Sequence, residues 1–357
     1  MTSPRRTPQS LLVTGGAGFI GSAFIRRLFR QPEFRGKVVN LDLLTYAGNP
    51  ANLSGAVDPA RYELVHGDIA DQKLVDELCE RHGIDAIVNF AAESHVDRSI
   101  HGPGVFVQTN IVGTYALLEV VRKRPQIHFH HVSTDEVYGS LGPTGLFTEQ
   151  TAYDPSSPYS ASKAASDHLV RAYQRTYGIS TTVSNCSNNY GPYHFPEKLI
   201  PLMVLNLFEG KELPVYGDGL NVRDWLFVDD HAEALWLILT QGESGQTYNV
   251  GGNNEWTNIA IVHKLIELVA AHQGKPKAEL EALIRFVKDR PGHDRRYAID
   301  SSKLQRELDW RPRHDLESGL AETVRWYAEN SAWVQGVRSG AYREWLEQNY
   351  RARGPET

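Results

Sequence analysis

The stretch Leu11-Leu12-Val13-Thr14-Gly15-Gly16-Ala17-Gly18-Phe19-Ile20-Gly21 decides the fold. Three apolar residues form a buried strand that breaks into glycines and restarts as a helix, predicted from about Phe19 to Phe29. Gly15 and Gly18 let the backbone turn tightly and approach a pyrophosphate, and Gly21 lets the helix pack closely. The helix start offers unpaired N–H groups and a favourable dipole to an anion. Asp42 ends the next strand, Val38 to Leu41, where a carboxylate accepts hydrogen bonds from an adenosine ribose and repels the extra phosphate of NADP. The pattern therefore predicts an NAD site; a glycine turn in an unrelated α/β protein, with Asp42 as a solvated strand end, is the plainer alternative.

Working outward, Tyr62 to Val65, Ala86 to Phe90, Ile127 to Val132 and Ser180 to Asn185 read as further strands, with helices predicted near 71–82, 106–123 and 159–177. Strands alternating with helices predict a Rossmann-type, doubly wound parallel sheet. After Asn185 the rhythm breaks into a loop holding Asn188, Asn189, Gly191, Pro192, Pro196 and Pro201. A smaller, mixed α/β C-terminal substrate lobe is expected there. We assign 8–187 to the NAD-binding domain, with 222–252 returning to it, and 188–221 plus 253–335 to the second lobe. Within the return, Trp225 to Thr240 reads as a strand or turn entering a helix and Thr247 to Val250 as a strand; helices are predicted near 256–272 and 316–329.

Composition narrows the function classes. The 357 residues are 41% hydrophobic and 22% charged, and 37 basic against 43 acidic residues give a net charge of -6. That is ordinary for a soluble protein and unlike a nonspecific nucleic-acid binder. Cys79 and Cys186 are the only cysteines, which excludes a disulfide framework and a thiolate-rich metal site. Met1 to Ser10 is polar, and no run is read as reaching the roughly 20 apolar residues of a membrane span. A cytoplasmic protein with no membrane partner, no nucleic-acid partner and no metal is expected.

Two motifs carry chemistry. Tyr159-Ser160-Ala161-Ser162-Lys163 puts a phenol and an ammonium four residues apart on one helix face, with Pro158 in the first turn. Such an ammonium, with a positive nicotinamide, is expected to draw the tyrosine pKa down from about 10, so that it takes a proton from a sugar hydroxyl as hydride leaves. Ser133-Thr134-Asp135-Glu136 follows the strand Ile127 to Val132, at the carboxyl edge where an open parallel sheet binds ligands. Thr134 suits a substrate oxygen, and Asp135 with Glu136 supplies an acid and a base. Alcohol oxidation needs only the Tyr/Lys pair, so two further carboxylates imply a second proton transfer; a solvated acidic turn is the alternative. Asp68, after the third strand, suits an adenine amino group, with the Ile69 backbone closing over the ring, or else caps the following helix.

Several long motifs in order, TGGAGFIG at 14–21, NLDLLTYAGN at 40–49, AAESHVDRSI at 91–100, HVSTDEVYG at 131–139, PYSASKA at 158–164, SNNYGPYHFPEKLIP at 187–201, NVRDWLFVDDH at 221–231 and RPGHDRRYAID at 290–300, carry a family resemblance. The sequence resembles the nucleotide-diphosphate-sugar 4,6-dehydratases of the extended short-chain dehydrogenase/reductase superfamily, most closely those acting on dTDP-glucose, from about Leu11 to Tyr327. The resemblance implies that Tyr159 and Lys163 serve oxidation at C4, that Glu136 takes the C5 hydrogen and Asp135 protonates the departing C6 hydroxyl, and that hydride returns to C6. The product implied is a 4-keto-6-deoxy sugar for deoxysugar biosynthesis, with tightly bound NAD regenerated each turnover. It also implies cofactor contacts from Phe19, Ile20, Leu44, Ala91, Ala92, Ser133 and Asn188. For the substrate it implies Ser94, His95, Asn188, Glu197, Lys198, Leu199, Arg223, Asn258, Arg290, His293 and Tyr297, with Asp97 a further pocket candidate. Read without the family, the arginines are surface charges, Asn188 and Asn189 turn formers and His293 a packed histidine. The family pairs as homodimers through the helices at 106–123 and 159–177; Ile111, Tyr115, Leu118 and Val121 fit that interface or the face against the sheet. A 4-epimerase shares the Tyr/Lys pair without needing Asp135 and Glu136, and a silent NAD-binding protein needs neither motif.

Overall fold

A computed structural model describes residues 6–338; Met1 to Arg5, part of the polar start read above, lie outside the described residues, as does 339–357. Its centre is a seven-stranded sheet built from β1 (Ser10–Thr14), β2 (Lys37–Asp42), β3 (Tyr62–His66), β4 (Ala86–Asn89), β5 (His128–Thr134), β6 (Thr181–Cys186) and β10 (Thr247–Val250). The spatial order is β10-β6-β5-β4-β1-β2-β3, and every pairing is parallel. The order reverses between β1 and β4, so the crevice above those strand ends is the place where such a sheet takes a ligand.

Alternating side chains explain why the strands read as continuous apolar runs. Leu11, Val13 and Val38 point to one face and pack with Phe24, Ile25 and Leu28 of the helix Phe19–Arg30 and with Ala232, Leu235 and Leu239 of the helix Val228–Gln241. Leu12, Val39 and Ile87 point to the other, against Val75 and Leu78 of the helix Gln72–His82, Leu117, Leu118 and Val121 of the helix Gly104–Lys123, and Val170 of the helix Pro158–Tyr177. Both faces are covered, as a parallel sheet requires.

Three expectations change here. The helix Gln72–His82 is capped by Asp71, whose side chain accepts from Leu74 N at 3.0 Å, and not by Asp68, whose carboxylate bonds Ala70 N at 2.9 Å inside the preceding turn. The helix Gly104–Lys123 is long and apolar enough to cross a membrane by length and composition, contrary to the sequence reading, but half of it is buried in the fold through the Leu117, Leu118 and Val121 face. Of its ambiguous residues, Leu118 and Val121 face the sheet, Tyr115 is exposed and Ile111 lies between.

The second layer of structure lies above the sheet's carboxyl edge. The strand β7 (Asn188–Tyr190) pairs parallel with β9 (Val222–Phe227), which pairs antiparallel with β11 (Glu255–Thr257); β8 (Leu213–Tyr216) pairs parallel with β12 (Ile284–Val287). Thus 222–252, read from the sequence as returning to the first domain, divides: Val222–Phe227 joins the small sheet, while the helix Val228–Gln241 packs under the large sheet and Thr247–Val250 is its edge strand. The helices Leu199–Glu209, Asn258–Gln273 and Leu316–Glu329 close a second apolar core around Val204, Leu265 and Leu320. Beyond them, Trp333 donates its indole N–H to Asn52 Oδ1 at 2.7 Å, and Asn52 Nδ2 donates to the Ala17 carbonyl at 2.9 Å, so the chain's late helix Ser331–Val337 backs the glycine turn.

Buried histidines stand in the large sheet and in the helix Val228–Gln241 packed under it. His130 and His231 are fully buried, and burial pulls each down to about 3. Unfolded histidine titrates near 6.5, so the folded state takes up fewer protons between those values. The stability present above about 6.5 is lost as pH falls toward 3, at up to about 1.4 kcal/mol per pH unit for each histidine. The melting temperature should therefore drop between pH 6.5 and 4.5, and His130→Gln should flatten that slope; an equal slope in the variant contradicts the assignment.

Candidate active site

The glycine turn is shaped as its sequence requires. Gly15 has φ 69°, and a Cβ there would stand 2.6 Å from Ala91 N; one on Gly21 would stand 2.4 Å from the Gly15 carbonyl oxygen. Gly18 is the N-cap of the helix Phe19–Arg30 and makes no side-chain cap, leaving that helix start to an incoming acceptor. Asp42 is buried and spends both oxygens on the turn, Oδ2 accepting from Ala17 N at 2.9 Å and Oδ1 from Leu44 N at 2.8 Å. Burial raises its pKa while those two N–H groups hold it down. Each oxygen keeps a second lone pair, so the carboxylate both shapes the turn and remains an acceptor.

A cavity of about 420 Å³ runs from this turn across the sheet edge to the second lobe. At its cofactor-like end stand Gly15, Gly18, Phe19, Ile20, Gly21 and Asp42, with Ala91 and Ala92 from the end of β4. Ser133, Thr134, Asp135, Glu136, Tyr159 and Lys163 line its middle. The far end is made by Ser94, His95, Asp97, Asn188, Glu197, Lys198 and Leu199, then Arg223, Asn258, Arg290, His293 and Tyr297. Leu44, Asp68 and Ile69 do not line the cavity. Ile69 is packed into the core beside Gly113, where a Cβ would meet its Cδ1 at 2.5 Å. The sequence reading missed Tyr46, Phe195, Tyr216 and Cys186 as lining residues. Tyr46 lies in the TYAGN segment already quoted, but no periodicity singles it out.

The reacting centre is held by two local devices. Ser157 and Ser160 form a reciprocal capping box, Ser160 N to Ser157 Oγ at 3.1 Å and Ser157 N to Ser160 Oγ at 3.0 Å, with Pro158 at the first turn; this starts the helix that presents Tyr159 and Lys163. Thr134 ends β5 and caps a short turn Asp135–Tyr138, its Oγ1 accepting from Glu136 N at 3.3 Å. The two carboxyls therefore follow the strand end directly into the cavity.

Their surroundings differ. Asp135 is 1% exposed, and its Oδ2 is buried with no hydrogen-bond partner. Burial first, then the neighbouring Glu136, pushes its pKa well above the ordinary carboxyl range. Burial also raises Glu136, but Arg290, Lys198 and Arg223 draw it back down. Two carboxyls in unlike environments are suited to opposite proton tasks, Asp135 as the acid and Glu136 as the base.

A lowered pKa is expected with a positive nicotinamide beside the ring; the protein's own groups act on Tyr159 in the other direction. Burial and the negative Glu136 push its phenol well above 10, against a hydrogen bond from Thr134 that lowers it. On the same helix the Lys163 ammonium donates to the Val132 carbonyl at 2.9 Å, and burial lowers its own pKa.

The far end is rich in fixed cations. Arg223 donates to the Val222 and Asp294 carbonyls at 2.7 and 2.8 Å and lies 4.1 Å over the Tyr297 ring. Arg290 NH1 stands 3.9 Å from Asp97, and its Nε is buried without a partner. Glu197 accepts from Arg98 Nε at 3.0 Å, and Lys198 donates to the Ser94 carbonyl at 2.9 Å. Burial, then Arg290 and Arg223, lowers His293 to about 4, and its ring pairs with Asp289 at 2.6 Å. The Oδ1 atoms of Asn188 and Asn258 are buried and unpartnered. Preset guanidinium forks beside unsatisfied amides suit a diphosphate and a polar nucleoside. Among the described residues no group of three or more His, Cys, Asp or Glu is placed to hold a metal ion.

A doubly wound sheet with a glycine cradle, a Tyr/Lys helix at its carboxyl edge and a second lobe closing the crevice defines an extended short-chain dehydrogenase/reductase. The family model described as GDP-mannose 4,6 dehydratase matches residues 12–323. The dTDP-glucose 4,6-dehydratase of Salmonella typhimurium is 54% identical, over 96% of this chain and 99% of its own, and that of Xanthomonas campestris is 58% identical, over 93% and 97%. A solved dTDP-glucose 4,6-dehydratase from Streptomyces venezuelae, a double mutant with NAD bound, superposes with a TM-score of 0.86 at 48% identity, covering 92% of this chain and 99% of that one. The chain belongs to the dTDP-glucose 4,6-dehydratase family.

A carboxyl buried without a full set of partners costs stability that its chemistry requires. Because the folded pKa of Asp135 lies above the unfolded value, that cost is absent below about pH 4 and grows as pH rises. Asp135→Asn should melt at or above the wild-type temperature at pH 8, with the advantage shrinking toward pH 4; a variant less stable at pH 8 than at pH 4, relative to wild type, contradicts the assigned direction.

Proposed function

We propose that the chain holds NAD through the catalytic cycle and converts dTDP-glucose to dTDP-4-keto-6-deoxyglucose and water, a hydro-lyase reaction. One observation carries the reading: Asp135, its Oδ2 buried without a partner, and Glu136, which faces Arg290, Lys198 and Arg223, stand in the same cavity as Tyr159. An epimerase has no use for that pair, and a silent binding protein has no reason to bury an unpartnered carboxyl there.

The residues fit the cofactor. Gly15 brings the backbone against the Ala91 strand end where no side chain could pass, the helix start at Gly18 is open, Asp42 keeps acceptor capacity, and Ser133 Oγ and Asn188 Oδ1 are buried polar atoms without partners. Gly15, Gly18, Phe19, Ile20, Gly21, Asp42, Ala91, Ala92, Ser133 and Asn188 would hold it. When bound, NAD supplies a temporary acceptor for the hydride that leaves C4 and is given back at C6.

The protein's side chains then divide the proton work. Thr134 orients the C4 oxygen, and Tyr159, as the phenolate that the Lys163 ammonium and a positive nicotinamide would favour once the cofactor is bound, takes the C4 hydroxyl proton, which later makes good the proton that Asp135 gives up. The resulting ketone acidifies the C5 hydrogen, which Glu136 removes through its carboxylate. Asp135 gives its proton to the C6 hydroxyl, which departs as water, and a proton returned to C5 restores Glu136. Arg223, Arg290, Lys198 and Asn258 hold the diphosphate and nucleoside, with Glu197, His95 and Ser94 against the sugar. Val105, Val107, Val112 and Tyr115 leave an exposed apolar stripe on the helix Gly104–Lys123, which supports a homodimer through that helix. Cysteines that are both buried and free accord with a cytoplasmic enzyme.

Turnover in deuterated water should place deuterium at C5 with loss of the C6 hydroxyl; C4 inversion with that hydroxyl retained rules the reading out. Tyr159→Phe should slow C4 oxidation by about 10²–10⁴-fold. Glu136→Gln should still oxidise C4 but stall before water loss, and equal half-reaction rates in the two variants would remove the role assignment. Gly18→Ala, whose Cβ meets only the Gly15 carbonyl oxygen at 3.2 Å, should fold normally yet carry much less NAD, read as nucleotide released on denaturation; wild-type NAD content in that variant counts against the cradle.

A further inference from the structure

The helix Pro158–Tyr177 carries a third ionisable group below its catalytic pair. Tyr159, Lys163 and Asp167 follow at four-residue steps, hence along one face, and Asp167 is fully buried between that helix and the sheet. Nothing in the reaction uses it, since it does not line the cavity.

The neighbours of Asp167 explain its cost. Its Oδ2 accepts from Tyr153 OH at 2.7 Å and from Asn185 Nδ2 at 3.1 Å. The same Asn185 amide donates to the Thr134 carbonyl at 3.1 Å, and Arg171 donates to the Tyr153 hydroxyl at 2.6 Å. Its Oδ1 makes no hydrogen bond and stands 3.4 Å from His131 Nε2 of β5.

The histidine tautomer is fixed from the other side. Ala91 N donates to Thr14 Oγ1 at 3.4 Å, Thr14 donates to Asn89 Oδ1 at 2.6 Å, and the Asn89 amide nitrogen then faces His131 Nδ1 at 3.2 Å. Nδ1 is therefore the acceptor and Nε2 carries the hydrogen. Nε2–H points to Ser166 Oγ at 3.1 Å, whose own hydrogen goes to the Lys163 carbonyl. The Lys163 ammonium lies 3.5 Å from that Nε2, so two donors converge in a dry interior. An uncompensated ammonium there would lose its proton or its place, and Asp167 is the carboxylate that faces it across the His131 nitrogen.

We propose that Asp167 is a positioning residue for this reaction, supplying the buried counter-charge of the Lys163 ammonium and, through Asn185, fastening the Thr134 end of β5. The inference rests on the reading of Lys163 as the partner of Tyr159. Facing Lys163 are Tyr159 and Asp167 of its own helix, His131 and the Val132 carbonyl of β5, and Cys186 of β6; facing Asp167 are His131, Asn185, Tyr153, Tyr138 and Arg171. Among the groups acting on Lys163, burial lowers its pKa, and Asp167 leads those that raise it. Removing the negative charge therefore makes the lysine lose its proton at lower pH.

The test is the pH dependence of kcat and KM for 4-keto sugar formation by the NAD-loaded enzyme. Asp167→Asn should move the alkaline limb of kcat down by about one pH unit or more while KM stays within about twofold, so that much of the lost rate returns at lower pH. A uniform loss at every pH with the limb unmoved overturns the proposal, because that is what a purely structural defect gives. Arg171→Gln guards against misfolding of the first variant: it lies away from the cavity and removes a cation that opposes Asp167, so the limb should move up, and a limb that stays or moves down overturns the proposal. Lys163→Met separates the two readings. If the wild-type limb survives in that variant, the pairing of Lys163 with Tyr159 fails, whatever Asp167 does.

Discussion

The bond from the Lys163 ammonium to the Val132 carbonyl joins the two parts of the reacting centre. One part is the helix that presents Tyr159; the other is the strand end that runs into Thr134, Asp135 and Glu136. A charge-assisted bond to a backbone carbonyl is worth more than a neutral one, and its loss leaves a buried ammonium with only the His131 nitrogen at 3.5 Å. The relative placement of phenol and carboxyls thus depends on an atom of the sheet, and not on flexible side chains meeting in solvent.

The same desolvation that makes this bond strong sets the acidities around it. Burial raises Asp135, Glu136 and Tyr159 together, and what differs is the company each keeps. Glu136 looks toward the cations of the second lobe, Asp135 toward another carboxyl, and Tyr159 toward negative charge. The acidities in the middle of the crevice are therefore tuned by arginines that line its far end, so the two lobes share one electrostatic field.

Much of this was legible in the residues because local rules and the global fold agree. The glycine turn, the alternation of strand and helix, the Tyr/Lys spacing and the Thr-Asp-Glu run each have a geometric consequence at short range, and each stands where that consequence puts it. What was not legible depends on contacts distant in sequence. The direction of the Tyr159 shift follows from burial and then from Glu136, neither of which the i,i+4 spacing contains. Asp71 rather than Asp68 caps its helix because the Asp68 carboxylate is already used two residues on, a choice between adjacent carboxylates that pattern does not rank. Tyr46 and Phe195 pack against each other over the crevice from segments about 150 positions apart, and only the folded chain brings them together.

The indole of Trp333, reaching Asn52 behind the glycine turn, joins residues 281 positions apart. Synthesis proceeds from the amino end, so the glycine turn leaves the ribosome well before the prop behind it is made. Until then the Asn52 amide that steadies Ala17 has nothing holding its oxygen. The brace is thereby completed only once the tryptophan has been made, and a polypeptide released short of it lacks the brace even though the whole glycine turn is present.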